Sequence, residues 1–507
     1  MNEGWSRGQR WAIAAVCLVA AEGLLLTGDH SSGSFFFTLM SVSAAGAVAV
    51  LAPSRPAVAF GILFLVASLS RGTIATPLGN MRFEQPAIVA GFAALLLTRP
   101  RLDIARLRPL WPIGAAFGLY LACLTVSSVL FAPDRADSLR MTFWTGLSMA
   151  GGVLALLLLA RSNARVTEWI LLSGYIQAIP AFVIAILFFS LGPVLIAGAT
   201  AAPGVQEPLS SLPKVFSLSW EANIYASFLA ALTPIGINRL LSGNRLADKV
   251  LVPVMVAAIA LGVTRGAYLG LIAGLAVYVL FAVVPGRTWD RKTLRRVEVW
   301  GAVIAVSLGA GLLLAAVLLA GGRQPTNPLD FTKPFWGRGP DAPIPARIVV
   351  LSPPDTISFR LDRVPVALAD MPDSLIVGLG ANSFGQRHED PSSKGAPDHL
   401  SILVVAAPYE AGIVGAAGLG IGFWLVLLAL FKATRTRADR GMVAAYAGAL
   451  VCLLVAYQAT NALNFALIWL LVGAALAAAT QPAGPAPARE AVPSGEPPPA
   501  GEPAPAV

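Results

Sequence analysis

Apolar runs follow one another along almost the whole chain, with very little charge inside them. They cover 11–27, 35–52, 57–70, 86–98, 110–131, 142–160, 166–191, 220–238, 250–263, 266–285, 298–320, 401–431, 441–459 and 461–480. A helix needs ~20 such residues to cross a hydrocarbon core, where it alone satisfies its own backbone polar groups. Several runs, notably 57–70 and 86–98, fall short of that length. The expectation is an all-α polytopic membrane protein with about 12–14 transmembrane helices. Composition points the same way: 56% of the 507 residues are hydrophobic and 12% charged, against about 25% charged in a soluble domain.

The formal net charge of +9 is therefore not read as a nucleic-acid footprint, because basic residues of polytopic proteins collect in cytoplasmic loops. One alternate set of loops holds Arg55; Arg99, Arg101, Arg106 and Arg108; Arg161 and Arg165; Arg239, Arg245 and Lys249; Arg287, Arg291, Lys292, Arg295 and Arg296; and Lys432, Arg435, Arg437 and Arg440. The other set holds Arg71, Arg82, Arg135, Arg140 and Lys214. This alternation predicts that both termini are cytoplasmic. Arg7 and Arg10 precede a run that reads on into a first membrane helix, not a cleaved signal.

The polar segment 321–400 then lies outside the cytoplasm, in the periplasm of a Gram-negative host. It separates the helices of 1–320 from those of 401–480, and 481–507 reads as a disordered Pro/Ala-rich cytoplasmic tail. The segment is far longer than the ~4–6 residues of a usual connection. It carries Arg323, Arg338, Arg347, Arg360, Arg363, Arg387, His388 and His399. Transporters more often keep their few charges within the helices; charges gathered on one face suggest a membrane-embedded enzyme. Cys17, Cys123 and Cys452 all fall in apolar runs, which leaves the segment without a disulfide or a cysteine metal site.

Several outward-facing polar residues have both a bland and a functional reading. Arg265 stands between two apolar runs and could simply reach lipid headgroups. Its guanidinium fork also matches a phosphate at two points, and Gly262 and Gly266 permit close helix approach beside it. Glu221 suits a helix first turn behind Ser219, or it could orient an arginine or contact a sugar hydroxyl with Asn223. Within SFRLDRVPVALADMPDSLIVGLGANSF, Arg360 and Arg363 are three apart on a short amphipathic helix. The glycines that follow, Gly378, Gly380 and Gly385, allow tight turns whose free amides could bind an anion. His399 sits beside Asp398 at the membrane boundary and titrates near neutral pH, as a general base must.

Together these pieces resemble the O-antigen ligase and polymerase superfamily of bacterial envelope glycosyltransferases. The likeness rests on Thr264-Arg265-Gly266 opening a helix and on Arg360 ahead of Gly378-Leu379-Gly380-Ala381-Asn382-Ser383-Phe384. It continues with His399 ahead of Glu410-Ala411-Gly412-Ile413-Val414-Gly415, and is best over about 215–430. Leu400 stands where the family has asparagine, and the stretch from His399 to Glu410 is longer than usual, so His388 is the reserve histidine.

The resemblance implies a metal-independent, inverting transfer without a cofactor, at the periplasmic face of the inner membrane. The donor would be a glycan on undecaprenyl diphosphate, and the acceptor lipid A core or a second lipid-linked glycan. Arg265 and Arg360 would hold the diphosphate and His399 would activate the acceptor hydroxyl. Glu221, Asn223, Arg363, Arg387 and Glu410 would contact substrate, and other polysaccharide-assembly proteins would be partners. The competing classes are a lipid-linked oligosaccharide flippase or related export transporter, and an assembly scaffold. Alternating access requires no long outer loop, and no paired repeat halves are visible.

Overall fold

A computed structural model describes residues 30–69, 73–76, 79–98, 104–162, 166–191, 205–206, 214–215, 217, 222–242, 245–262, 264–283, 291–321, 360–388, 400–436 and 439–481. The apolar runs become helices with boundaries close to the expected ones. They are α1 (His30–Ser54), α2 (Pro56–Ser68), α3 (Glu84–Thr98), α4 (Trp111–Leu130), α5 (Arg135–Ala160) and α6 (Thr167–Leu191). After these come α7 (Ala222–Ser242), α8 (Leu246–Leu261), α9 (Arg265–Val283) and α10 (Arg291–Gly321). The polar segment contributes α11 (Arg363–Asp370) and α12 (Ser383–Arg387), and the chain continues through α13 (Leu403–Thr436), α14 (Arg440–Ala456) and α15 (Ala466–Thr480). The first expected span, 11–27, and the tail from 482 lie outside the described residues.

Five helical stretches are long and apolar enough to cross a membrane: Arg108–Leu130, Arg135–Ala160, Ala222–Ser242, Arg265–Ala282 and Leu403–Thr436. Large apolar side chains such as Leu269, Ile272 and Trp424 point outward from these helices. Lipid favours that surface and water does not. The short run expected at 57–70 has a different solution. Twelve of the thirteen residues of α2 are buried within the protein, so it is surrounded by other helices along its length.

Two antiparallel ribbons were not anticipated by a helix-only reading. Thr73–Thr76 pairs with Gly79–Arg82, and Val205–Gln206 with Lys214–Val215. In the first, the Thr-Ile-Ala-Thr strand carries the β-branched residues that suit a pleated edge.

Small residues set the closest helix contacts. Gly266, Gly270 and Gly274 lie four apart on one face of α9, and α14 packs along that face. A β-carbon on Gly270 would come within 2.5 Å of the Cys452 carbonyl oxygen, and one on Gly274 within 2.6 Å of that of Gly448. This is the close backbone approach that small-xxx-small patterns permit between helices in lipid, where apolar burial gives little drive to associate. α13 packs in the same way along α4, and α15 along α5. Phe117, Phe423 and Trp469 interlock where α4, α13 and α15 meet.

The helices alternate in direction, so that the polar groups divide between two ends of the bundle. At one end Arg239 pairs with Asp248 at 3.2 Å, Arg245 pairs with Glu168, and Arg161 donates to the carbonyls of Ala52 and Pro53 at 3.2 and 3.0 Å. At the other lie the start of α9, the turn between α14 and α15, and the docked part of the polar segment. There Arg82 Nη1 donates to the Asn464 carbonyl at 2.7 Å, and its guanidinium covers the Phe465 ring.

Candidate functional site

The start of α9 is tied to its neighbours through the backbone. Thr264 is buried, and its hydroxyl donates to the Gly262 carbonyl at 2.8 Å while lying 3.3 Å from Asn223 Oδ1. A β-carbon on Gly262 would meet that of Ala226 at 2.8 Å, so the α8–α9 turn sits directly on α7. Asn223 and Arg265, singled out separately in the sequence, therefore share one corner of the bundle. Arg265 is the first residue of α9, half-buried, and its Nε is buried without a hydrogen-bond partner among the described residues. A cation at a helix N-terminus gains nothing from the helix dipole. The same amides and dipole that disfavour it would favour an anion shared with it.

A second cluster forms where the polar segment meets α13. Gly412 adopts φ 68° and ψ 175°, which breaks the helix one turn after Pro408. An interrupted helix leaves carbonyls and amides without partners on both sides of the break, and the segment 375–380 supplies them. Leu379 N–H donates to the Tyr409 carbonyl at 2.8 Å and Gly380 N–H to that of Glu410 at 3.0 Å. Beyond the break, Ile413 N–H donates to the Leu375 carbonyl at 3.0 Å. Gly378 and Gly380, at φ 91° and 100°, make the turn possible.

This corrects one expectation. The glycine turn does not offer free amides to an anion, because Gly378 N–H bonds the Ser374 carbonyl and the next two amides bond the broken helix. Glu410 is likewise engaged: its Oε1 accepts from Asn382 N–H at 3.2 Å, with Asn382 left-handed at φ 57°. Asn382 Nδ2 and Gln386 Nε2 both donate to Asp137 Oδ2 at 3.0 Å. Ser138 Oγ donates to the Ala381 carbonyl at 2.6 Å, Ala381 N–H to Ser128 Oγ at 3.1 Å, and Ser127 Oγ to the Glu410 carbonyl at 2.7 Å. Ala367, Met371, Leu379, Phe384, Leu400, Ala406 and Tyr409 form a small apolar core beneath this network.

Three of the loop's basic side chains have defined places. Arg360 lies in a helical turn just ahead of α11, and Arg363 opens that helix, both half-buried. Asp362 between them keeps right-handed helical dihedrals (φ −63°, ψ −23°), so the backbone runs helically from Arg360 to Arg363. Arg387 Nη2 donates to the Phe131 carbonyl at 2.9 Å, while its Nε is buried without a partner among the described residues.

His388, the reserve histidine, proves to be the most tightly held of the candidates. Its Nε2 lies 2.6 Å from Asp370 Oδ2, and Tyr409 Oη donates to the same oxygen at 2.8 Å. Burial works against charge on Asp370, but the hydrogen bonds from His388 and Tyr409 outweigh it and hold the carboxyl below its ordinary value. Glu221 and His399 lie outside the described residues.

The two clusters occupy the same end of the bundle and meet through the α14–α15 turn. Gly266 packs on Ala459, and the adjacent Gln458 accepts from Val404 N–H at 3.0 Å at the start of α13. Asp370, Tyr409, Asp137 and the three serines had no signal in the sequence. Each acts through a partner far away along the chain, and only the folded contact reveals it. No protein-family model matches this chain, and no curated protein matches it.

Proposed function

We propose that this protein is an inverting glycosyltransferase of the O-antigen ligase and polymerase type in the bacterial inner membrane. It moves a glycan from undecaprenyl diphosphate to a hydroxyl of lipid A core or of another lipid-linked glycan. In this reading both termini are cytoplasmic, 12–14 helices span the bilayer (~20 residues each), and the polar segment works in the periplasm. The observation that carries it is Arg265: a guanidinium at a helix N-terminus whose buried Nε has no acceptor among the described residues. A diphosphate at the membrane surface would supply that acceptor.

Arg265 and Arg360 grip the diphosphate and stabilise the charge that gathers on it as the anomeric carbon–oxygen bond breaks. A histidine takes the acceptor proton, His399 by the resemblance with His388 in reserve. Glu410, Arg363 and Arg387 contact the glycan, and Glu221 and Asn223 support Arg265. Cells lacking the protein should accumulate lipid-linked glycan. Wild-type protein should clear it and Arg265→Ala should not; clearance by Arg265→Ala would overturn the assignment of the diphosphate to this residue.

One observation speaks for a lipid-linked oligosaccharide flippase instead. Broken helices such as α13 are the usual binding elements of transporters. Here, though, the segment 375–380 occupies backbone groups freed at Gly412, which makes the break a docking joint for the segment.

A further inference from the structure

The proposed transfer needs a base, and the folded segment builds one from residues that no motif marks. Asp370 ends α11, His388 follows α12, and Tyr409 lies on α13. Nε2 of His388 and the Tyr409 hydroxyl converge on one oxygen of Asp370, at 2.6 and 2.8 Å. Ionised Asp370 can only accept, so Nε2 carries a proton, and in the neutral ring the lone pair resides on Nδ1. The ring is further fixed against Phe384, at 4.9 Å between centroids. A carboxylate that fixes the tautomer and orientation of an imidazole is the arrangement that makes histidine an effective base. Arg387 is the residue before it, and its buried Nε has no partner among the described residues.

We infer that His388 is the general base that activates the acceptor hydroxyl, with Asp370 its positioning residue and Tyr409 fixing Asp370. This rests on the function proposed above and departs from the resemblance, which points to His399. The acceptor O–H proton passes to His388 Nδ1 as its oxygen bonds to the anomeric carbon. The bond from that carbon to the diphosphate breaks, and its electron pair leaves with undecaprenyl diphosphate. Asp370 stays ionised and stabilises the imidazolium.

The test uses full-length protein in nanodiscs, the lipid-linked glycan pool extracted from the host's membranes, and host lipid A core or the same glycan pool as acceptor. Release of undecaprenyl diphosphate is followed for the wild type and variants. His388→Gly should lower kcat by about 10²–10⁴-fold with KM little changed, and added imidazole should restore part of it. His388→Gln can still donate to Asp370 but cannot take the proton, and should stay inactive. Asp370→Asn should lower kcat more than it changes KM, with Asp370→Glu recovering part of the loss. An active His388→Gln, or a His388→Gly enzyme near the wild-type rate, would overturn the inference and leave the dyad a structural tie. Wild-type protein that releases no undecaprenyl diphosphate contradicts the function itself. Wild-type release with unimpaired His388 variants contradicts this inference alone.

Discussion

The backbone of Gly412 lies against that of Ile376 so closely that a β-carbon on Gly412 would overlap the Ile376 carbonyl oxygen. With φ at 68° and ψ at 175°, the position also lies in a region essentially confined to glycine. Gly412→Ala should cost about 1–3 kcal/mol in backbone strain alone. Two readouts check this: a lower unfolding temperature in detergent, and faster proteolysis within 360–388. Unchanged cleavage of that segment would mean that it does not depend on the joint.

The glycine face of α9 predicts a contrast between two helices. Gly270→Leu must push α9 away from the Cys452 carbonyl and should destabilise by at least ~1–3 kcal/mol. Gly309 on α10 has nothing within 4 Å of an added β-carbon, and Gly309→Ala should be neutral or slightly stabilising. Thermal unfolding followed by size-exclusion chromatography measures both. Equal effects would contradict the packing described for α9 and α14.

Asp370 makes loop docking sensitive to pH in a definite direction. Its carboxyl is held below its ordinary value by His388 and Tyr409, against the cost of burial. The stability it contributes is therefore complete above the unfolded carboxylate value of ~4, and lost as pH falls through the lowered folded value. The stability difference between wild type and Asp370→Asn should shrink below pH ~4. A gap that widens below that pH would contradict the sign.

Topology is tested by labelling. A single cysteine at 395 in a cysteine-free background should react with a membrane-impermeant maleimide in intact cells. Reaction only after lysis would reverse the expected orientation and remove the proposed periplasmic site.

How far the sequence could be read depended on the range of each interaction. Helix positions were legible because lipid forces the chain into apolar runs, and α4, α7 and α9 fall close to where they were expected. The α2 run is short because it is buried by other helices, which hydropathy does not report. Arg265 could be singled out because its signal is local: a charge between two apolar runs, flanked by glycines. The glycine turn was correctly read as a turn, but its amides were assigned to an anion when they serve the broken helix. Asp370 could not be found at all, since its partners stand 18 and 39 residues away and nothing in its neighbourhood marks it.

The central claim is that a guanidinium at the start of α9 grips the diphosphate of a lipid-linked glycan during transfer. The most direct measurement is undecaprenyl diphosphate released by purified wild-type and Arg265→Lys protein from labelled lipid-linked glycan, with acceptor present. Wild type should release it and pass the label to the acceptor. Arg265→Lys should lose about 10²–10³-fold, because an ammonium keeps the charge but not the two-point fork. Movement of intact lipid-linked glycan across the nanodisc-free vesicle membrane without release, or a lysine variant as active as wild type, would contradict the account.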